Sequence, residues 1–392
     1  MAATATPTRI PLWRNVRALR IAGQILFVIV VFVVLQQMYL NAEFQLSQRG
    51  RELSFNFLDQ RAGFGIKEHL IAYSRNSDVF QAFMVGVTNA LYLAFVGIVL
   101  CTILGIVIGI GRLSPNWLLR RITQVYVEVF RNVPVLVQVI FWWSAVFLAI
   151  PTIDQSLSLF DIAFASNRAI AVPAIRANDR FMAWVLSTLV AAVVASVVWL
   201  WRTRVNERTG APSHRAKSAA LTAIGLSAAA YLILGQPFRV EIPEPQRFGY
   251  QGGINFSPEF AAGLFGLLIY TAAFIAEIVR GSILAVPKGQ KEAGESLGLS
   301  AGQQLRYVIL PQAMRIAIPP VTNQYLNLWK NTSVLFAVAF PEIINVTQTI
   351  INQGGNELQV FSLGVLAYLL VSLALSFLMN LLNRSVAYRG ER

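Results

Sequence analysis

Four charged residues within long apolar stretches are the first candidates for chemistry in this chain: Glu128, Arg131, Glu277 and Lys330. A charged group inside a bilayer costs about 2.5–3.5 kcal/mol on insertion scales, so such residues are expected to face protein or water and to mark gating or transport sites. A structural role is equally open. Glu128 and Arg131 lie three residues apart on one helix face and could neutralise each other, and Glu277 and Arg280 have the same spacing.

Residue patterns typical of enzymes are absent from the sequence. There is no Gly-x-x-x-x-Gly-Lys-Ser/Thr phosphate loop and no His-Glu-x-x-His, and the two histidines are His69 and His214. Cys101 is the single cysteine and lies in an apolar stretch, so no disulfide or thiol chemistry is implied. The sequence therefore predicts no catalytic residue, metal site or cofactor in this chain. ATP-driven work would need ATP and magnesium bound by another subunit.

The segment 287–313 is polar and amphipathic, and it separates two apolar stretches. Pro287 is expected to end the preceding helix, and Glu292 lies near the start of a short new helix, where a negative charge is favourable. Gly298 can end or kink that helix, and Pro311 is expected to interrupt the chain again. The pattern predicts a short helix-turn-helix that can dock into a groove on a partner and transmit rigid-body motion.

Prolines within apolar stretches indicate where the backbone can break. Pro134, Pro319 and Pro320 each remove a backbone donor, and such breaks are tolerated mainly where they are buried in protein or line a cavity. Broken helices offer their ends to the charged groups of a zwitterion. Helix-to-helix hydrogen bonding would explain the neighbouring polar residues equally well. We predict that five side chains line a solute pathway: Arg131, Gln138, Asn331, Thr332 and Ser333.

The elements that must position these residues are long apolar helices. The chain has 392 residues, of which 56% are hydrophobic and 13% charged, and its mean hydropathy is +0.57. Several stretches exceed 18 residues, which indicates an all-α, polytopic membrane protein with about eight transmembrane helices. The predicted spans are 21–40, 82–111, 122–150, 182–201, 219–235, 258–286, 314–340 and 358–383.

The distribution of basic residues predicts the orientation of these spans. With both termini in the cytoplasm, the inner segments contain 20 Lys and Arg residues and the outer segments contain 10. This bias follows the positive-inside rule and accounts for much of the net charge of +13 without a nucleic-acid partner. The first apolar run is too long for a cleaved signal and is expected to stay as a helix. The segment 287–313 then faces the cytosol.

Several motifs resemble those of permease subunits of ABC importers for polar amino acids. The family's coupling loop has Glu-Ala-Ala, three residues, Gly, nine residues, an aliphatic residue, any residue and Leu-Pro. Matching positions here are Glu292, Ala293, Gly298, Val308, Leu310 and Pro311. The stretches 126–138, 276–281 and 328–334 also look like the family's. The extra N-terminal helix and the insertion at 151–257 are similar to the long permease subunit of the bacterial general L-amino acid importer.

The resemblance implies a type I ABC importer transmembrane domain in the bacterial inner membrane. It implies a second permease, giving a heterodimer, with two ATPase subunits and an extracytoplasmic binding protein for L-amino acids. ATP-driven closure of the ATPases would move the 287–313 loop and switch access. The residues implied to contact the ATPase are Glu292, Ala293, Gly294, Leu297, Gly298, Leu299, Ser300, Gln304, Leu310 and Pro311. Gly294 stands where the family has a third small residue, usually alanine, which loosens the helix.

The chain divides into five regions on this interpretation. These are an N-terminal tail, helix and extracytoplasmic segment (1–81), the first part of the permease core (82–150), the insertion with two added helices (151–257), the second part of the core (258–384) and a cytoplasmic tail (385–392). Six residues are assigned to structural or gating roles within the membrane: Glu128, Pro134, Glu277, Pro319, Pro320 and Lys330.

Two alternatives stay open at this point. One is an ABC permease for another small polar solute, such as an opine. The other is a stand-alone secondary transporter or channel, in which Glu128, Glu277 or Lys330 would couple to protons or ions. The sequence does not decide which solute is carried.

Overall fold

The computed structural model describes residues 16–48, 54–209 and 214–386, so Arg9 and Arg14 of the predicted N-terminal tail lie outside the described residues, as do 387–392 of the C-terminal tail. Most of the described chain is helical. The α-helices are α1 (Val16–Gln48), α2 (Val79–Gly111), α3 (Trp117–Asn132), α4 (Val135–Phe141), α5 (Phe181–Thr209), α6 (Arg215–Ile233), α7 (Pro258–Leu284), α8 (Lys288–Ser296), α9 (Ala301–Gln304), α10 (Leu310–Asn331), α11 (Ile343–Gly354) and α12 (Glu357–Val386).

Side-chain caps define where the core helices begin. Asp78 accepts a hydrogen bond from the Gln81 backbone N–H at 2.6 Å and starts α2. Asn116 does the same for α3. Ser257 accepts from Phe260 N at 3.0 Å and starts α7, with proline as the first helical residue. Each cap satisfies a backbone donor that has no partner inside its helix, which fixes the helix start.

The number of membrane spans agrees with the prediction of about eight. Six helices in the described residues are long and apolar enough to cross a bilayer, and the number rises to eight if two bent helix pairs each count as one span. One pair is 117–132 with 135–147, bent by 103°. The other is 301–338 with 343–354, bent by 50°. Bends of this size at a membrane-spanning element are tolerated where the freed backbone groups find partners in protein.

Two glycines let α2 and α7 cross closely at the centre of the core. A Cβ on Gly105 would lie 2.6 Å from Ile275 Cγ2, and one on Gly109 would lie 2.8 Å from Ala276 O and Val279 Cβ. Neither distance is compatible with a side chain larger than hydrogen, so both positions require glycine for packing, as small residues do at membrane helix crossings. The helices α10 and α11 pack around this crossing, and α12 packs against both.

The insertion contains structure that the sequence did not predict. Eight strands of three or four residues lie in its described residues: β1 (Leu157–Leu159), β2 (Ala163–Ala165), β3 (Ile170–Val172), β4 (Ala174–Ala177), β5 (Phe238–Glu241), β6 (Glu244–Gln246), β7 (Gly249–Gln251) and β8 (Ile254–Phe256). They form a four-stranded antiparallel sheet in the order β1-β2-β3-β8 and two antiparallel pairs, β4-β5 and β6-β7. The pairing of β3 with β8 and of β4 with β5 joins the two connections that flank α5 and α6.

The helices α5 and α6 pack mainly against each other. Their contact is built on small residues, since Ala191 and Ala195 of α5 and Ala219 of α6 are buried while most larger apolar side chains of both helices are exposed. The apolar side chains of α1 are exposed as well. Apolar helix faces of this kind suit contact with lipid. That α1, α5 and α6 are additions outside the permease core stays a prediction.

Candidate functional site

The segment 287–311 folds as two short helical arms joined by a tight turn, and we call it the polar hairpin. Pro287 precedes the first arm, α8. Gly298 has φ +71° and ends it, with Gly298 N–H donating to Glu295 O at 2.9 Å and Leu299 N–H donating to Gly294 O at 3.1 Å. These two bonds form a Schellman motif, in which a left-handed residue closes the last turn of a helix. The turn therefore depends on glycine at position 298.

The second arm begins with a capping box. Ser300 Oγ accepts from Gln303 N–H, and Gln303 Oε1 accepts from Ser300 N–H at 2.9 Å. From Ala301 onward the helix is continuous with α10, through a π-helical stretch at Leu305–Ile309 just before Pro311. The sequence predicted an interruption at Pro311, which is wrong. A π turn changes the backbone hydrogen-bonding pattern locally. The N–H group that proline lacks is not needed in the first turn of the helical segment that follows.

One buried side chain locks the two arms together. Gln304 is 5% exposed and its Nε2 donates to Leu299 O at 3.0 Å. Gly294 is buried beneath it, and a Cβ there would lie 3.2 Å from Gln304 Cγ. The glycine that departs from the family pattern therefore makes room for this contact. Because the contact fixes α8 against α9, the loss of helix propensity at Gly294 is offset by packing.

The outer surface of the polar hairpin is available to a partner. Leu297 is 79% exposed at its tip. Glu292 and Ala293 on α8 are exposed as well. An exposed leucine on a turn that is internally hydrogen-bonded offers a rigid apolar contact, with acidic groups beside it for orientation.

Glu277 is the centre of a cluster of ion pairs near the C-terminal end of α7, the end from which the chain continues into the polar hairpin. Arg280 Nη2 lies 2.5 Å from Glu277 Oε1, and Arg112 forms a second salt bridge with the same carboxylate. Arg112 follows the last residue of α2, so the cluster ties α2 to α7. The spacing of Glu277 and Arg280 indicated their pairing, whereas the contribution of Arg112 had no local signal because it comes from another helix.

The pairing of Glu128 with Arg131 is not found in the described residues. Glu128 Oε1 instead accepts a hydrogen bond from Gln124 Nε2 at 2.7 Å. The Arg131 guanidinium lies over the Phe274 ring, 5.0 Å from its centroid. Gln124 and Glu128 are four residues apart, one helical turn, which is the other spacing that brings side chains together on a helix face.

Pro134 breaks the second predicted core span, as expected, and Gln138 stabilises the break. The chain turns sharply between α3 and α4, and Gln138, which is 4% exposed, donates through Nε2 to the carbonyls of Phe130 and Val133, both at 2.9 Å. Those carbonyls lack helical donors because the helix ends there. This geometry gives Gln138 a structural role, and its predicted role in a solute pathway stays a prediction.

Pro319 and Pro320 do not break their helix. Both lie inside α10, which runs uninterrupted from Leu310 to Asn331. The backbone instead tightens into a 3-10 helix at Thr332–Val338 and turns at Ala339, which has φ +59°. Two consecutive prolines lose only the hydrogen bonds of one turn, and membrane helices tolerate this where neighbouring groups compensate.

The other predicted pathway residues lie at the end of α10. Thr332 is fully buried, and its Oγ1 donates to Trp329 O at 2.8 Å and lies 3.3 Å from the Tyr368 hydroxyl. Ser333 Oγ donates to Lys330 O at 2.8 Å. Asn331 and Ser333 are half-buried, while Lys330 and Arg131 are exposed in this chain. Arg131 and Gln138 therefore lie on either side of the break at Pro134, whereas Asn331, Thr332 and Ser333 lie together where α10 ends, and Thr332 is enclosed.

The sequence analysis missed a buried carboxyl group, Glu342. Its side chain accepts hydrogen bonds from Ile344 N and Asn345 N, both at 2.9 Å, and from the Tyr368 hydroxyl at 2.8 Å. It therefore caps α11 and holds that helix to α12, next to Trp329, whose Nε1 donates to Tyr368 O at 3.1 Å. The signal was a Pro-Glu pair before an apolar run, which is typical of a helix start.

Comparison with known proteins identifies the family to which this arrangement belongs. The family described as "Binding-protein-dependent transport system inner membrane component" matches residues 223–388. The chain is 40% identical over 365 residues to the putative amino-acid ABC transporter permease protein YhdX of Escherichia coli, covering 93% of both chains. It is 37% identical over 364 residues to the general L-amino acid transport system permease protein AapQ of Rhizobium johnstonii, covering 93% of this chain and 91% of the relative.

A third relative is the glutamate/glutamine/aspartate/asparagine transport system permease protein BztB of Rhodobacter capsulatus, 35% identical over 379 residues and covered to 88% in both chains. These alignments extend over nearly the whole chain, and the predicted resemblance is confirmed. The chain is a multi-pass inner-membrane protein that belongs to the family of amino-acid ABC transporter permeases.

Proposed function

We propose that this chain is the transmembrane permease subunit of an ATP-driven, binding-protein-dependent importer of L-amino acids. The observation that carries the proposal is the polar hairpin, in which a glycine turn and the Gln304 contact hold an exposed leucine at one end of the core. The substrate class is taken from the relatives, which are named as amino-acid permeases. A rigid turn that joins two packed membrane helices is a means of receiving motion from a partner.

The proposed orientation places the polar hairpin and both termini in the cytoplasm. It rests on the excess of Lys and Arg in the segments that would then lie inside. The polar hairpin would contact one of two ATPase subunits, which bind ATP and magnesium. The start of α2 and the strands of the insertion would face the binding protein outside. A second permease would complete a heterodimer.

The proposed mechanism is alternating access. Closure of the ATPases on ATP pushes the polar hairpin, and the push reaches α7 through Pro287 and reaches α10 through the continuous helix that begins at Ala301. The helices α7 and α10 pack against each other. A rigid displacement of this pair alters the gate formed by the core helices. The chain provides the solute pathway and transmits the motion of the ATPases to the gate, and it makes or breaks no covalent bond.

The solute pathway is proposed to run beside the two backbone breaks. Arg131, Asn331 and Ser333 are its first candidates, because their side chains are exposed or half-buried in the single chain. Gln138 and Thr332 would stabilise the two backbone breaks without facing the solute, since both are buried and donate hydrogen bonds to backbone carbonyls. A polar lining next to helix ends, in which Arg131 stands beside amide and hydroxyl side chains, suits zwitterions whose side chains vary.

The experiment is uptake of labelled L-amino acids into proteoliposomes that contain the whole transporter and its binding protein. Glu292→Lys reverses the charge beside the exposed tip, and we expect it to abolish uptake and weaken co-purification of the ATPase with normal membrane insertion. The matched control is Glu207→Lys, because Glu207 is also exposed but lies near the end of α5 in the insertion. Unchanged uptake and ATPase binding in the Glu292 variant would refute the docking role.

Two further readouts address the alternatives. Solute flux through the purified chain without ATPase subunits would favour a secondary transporter. Protection of the whole complex against thermal unfolding, measured across amino acids, opines and other small polar solutes, would show which class is bound. Protection by opines but not by amino acids would replace the proposed substrate.

A further inference from the structure

The strands β4 and β5 form a two-stranded antiparallel ribbon (174–177 and 238–241), which we call the helix-end ribbon. β4 leads into α5, and β5 follows α6. At the junction with the helices, Asn178 N–H donates to Pro237 O at 3.0 Å and Asn178 Nδ2 donates to Gln236 O at 3.1 Å. These bonds continue the pairing of the two strands up to the helices, so the ribbon is fixed to the ends of both membrane spans.

The apolar stretch of α5 indicates where the ribbon lies relative to a bilayer. Arg180 and Arg202 flank residues 181–201, which contain no charged side chain and rise about 30 Å in a helix. This length matches the thickness of the hydrocarbon layer, so each arginine marks one of its boundaries. Arg180 Nη1 also donates to Leu234 O at 3.0 Å, which holds the end of α6 at the same level. The helix-end ribbon therefore begins at the hydrocarbon boundary.

Aromatic side chains gather at the same boundary. The ring centroid of Phe238, on the ribbon, lies 5.1 Å from that of Trp184 and 4.8 Å from that of Tyr231. Trp184 Nε1 donates to Ser227 O at 3.1 Å, and the Tyr231 hydroxyl donates to Phe238 O at 3.1 Å. Trp and Tyr have an apolar body and a polar tip, and they are enriched where hydrocarbon meets water. The aromatic cluster independently indicates that the ribbon begins at that interface.

The two faces of the helix-end ribbon differ in chemistry, because side chains alternate between the faces of a strand. Ile175 lies opposite Val240 on one face, and these side chains are 70% and 63% exposed. Arg176 lies opposite Arg239 on the other face, and both are exposed. On that face Arg176 Nε donates to Glu241 Oε2 at 2.7 Å. One exposed face of the ribbon is therefore apolar and the other is charged.

Lipid is the occupant that these observations favour for the apolar face. Val240 is two residues from Phe238 and shares its face, and Leu232 and Ile233 at the end of α6 are exposed as well. The exposed apolar surface therefore continues from the spans onto the ribbon. Two residues of a strand extend about 7 Å, which is about the thickness of the headgroup layer on one side of a bilayer. Because α5 and α6 pack mainly against each other, lipid can surround their ends.

We propose that the helix-end ribbon is a lipid-binding surface, in which Ile175 and Val240 insert into the boundary between the headgroups and the acyl chains of the bilayer. Arg176 and Arg239, on the opposite face, stay in contact with headgroups and water. The ribbon is the strand counterpart of an amphipathic helix that lies in a membrane interface. The four-stranded sheet remains available to a protein partner. The inference requires only that α5 and α6 cross the bilayer, so it does not depend on coupling to an ATPase or on the orientation of the chain.

The test places nitroxide spin labels on the ribbon of the complete transporter in lipid nanodiscs. The labelled variants are Ile175→Cys and Val240→Cys on the apolar face, with Arg176→Cys and Arg239→Cys as matched controls, all in a Cys101→Ser background. Electron paramagnetic resonance measures how often each label collides with oxygen, which concentrates in lipid, and with a water-soluble nickel chelate. We expect the ratio of oxygen to nickel collisions to be at least about threefold higher on the apolar face, because such a face lies about 5–10 Å into the interface.

Two results of this experiment would overturn the proposal. If all four labels collide equally often with the nickel chelate, both faces of the ribbon lie in water. If the labels of Ile175→Cys and Val240→Cys are shielded from oxygen and from nickel, a protein covers the apolar face, such as a second permease or the binding protein.

A second measurement uses the unchanged chain, so it does not depend on the folding of a variant. The transporter is reconstituted with a phospholipid that carries a photoreactive diazirine near the start of its acyl chain, and the adducts are located by mass spectrometry. We expect adducts on Ile175 and Val240 in a yield comparable with that on the exposed residues of α5. Adducts on α5 without adducts on the ribbon would overturn the proposal.

Discussion

The polar hairpin and the insertion at 151–257 both leave apolar side chains exposed, but they do so in different ways. In the polar hairpin the most exposed apolar side chain, Leu297, projects from a turn that is fixed by backbone bonds and by Gln304. In the insertion, apolar residues are exposed along the length of α5 and α6, which pack mainly on each other. The first pattern suits one specific protein contact and the second suits lipid. Exposed apolar side chains therefore have to be interpreted together with the rigidity of the backbone that carries them and the length of the apolar surface.

The comparison predicts that a bulky residue in the turn of the polar hairpin lowers uptake far more than a bulky residue on an exposed helix position of the insertion. Gly298→Val places a β-branched residue at φ +71°, a conformation that costs about 1–2 kcal/mol for an ordinary residue and more for a β-branched one. We expect uptake by the reconstituted transporter to fall about tenfold or more. The matched control is Gly225→Val in α6, where a new Cβ would meet nothing within 4 Å. Equal losses in both variants would contradict the comparison.

The next prediction concerns the exposed tip itself. Burying a leucine at an interface contributes about 1.5–3 kcal/mol, so Leu297→Lys should weaken binding of the ATPase about tenfold, measured by titration of purified ATPase onto the permease in nanodiscs. Leu297→Met should bind nearly normally because it keeps the apolar volume. Phe248→Lys changes a side chain that is 73% exposed on the insertion, and it should leave ATPase affinity unchanged. If Phe248→Lys weakened ATPase binding as much as Leu297→Lys does, the polar hairpin and the insertion would not differ in their contact with the ATPase.

The insertion is expected to be separable from the core. Asn178 N–H donates to Pro237 O at 3.0 Å, so the chain leaves and re-enters the strands at adjacent points. A variant in which residues 179–236 are replaced by two glycines loses two helices and keeps the orientation of the rest. Since distant sites act independently, its ATPase affinity should change by less than about twofold. Failure of this variant to bind ATPase, with correct insertion shown by protease protection, would mean that the two regions are coupled.

The smallest effect is expected at Gly294. Gly294→Ala gains up to about 1 kcal/mol of helix propensity but pushes on Gln304, whose Cγ would lie 3.2 Å from the new Cβ. The net change in the thermal midpoint should be smaller than that of Gly289→Ala in the same helix, where a Cβ meets nothing within 4 Å. A larger gain at Gly294 than at Gly289 would show that Gln304 does not lock the two arms.

The sequence predicted those parts of the fold whose signals are local. Pro287 and Gly298 lie beside the helix ends that they determine, and the long apolar runs define the spans. The strands could not be predicted, because each has three or four residues and pairs such as Ile170 with Phe256 join distant parts of the chain. The same limit applies to Arg112 beside Glu277 and to Glu342 beside Tyr368. In both cases the partner comes from another helix, and one-dimensional spacing carries no information about it.

The most direct test is to determine where the tip of the polar hairpin lies in the assembled transporter. A Leu297→Cys variant, with the buried native cysteine changed by Cys101→Ser, is treated with membrane-impermeant thiol reagents and a short cross-linker. We predict that Cys at this position reacts only from the cytoplasmic side, is protected when the ATPase binds, and cross-links to the ATPase. Reaction from the outer side, or a tip that cross-links to nothing in the complete complex, would contradict the account.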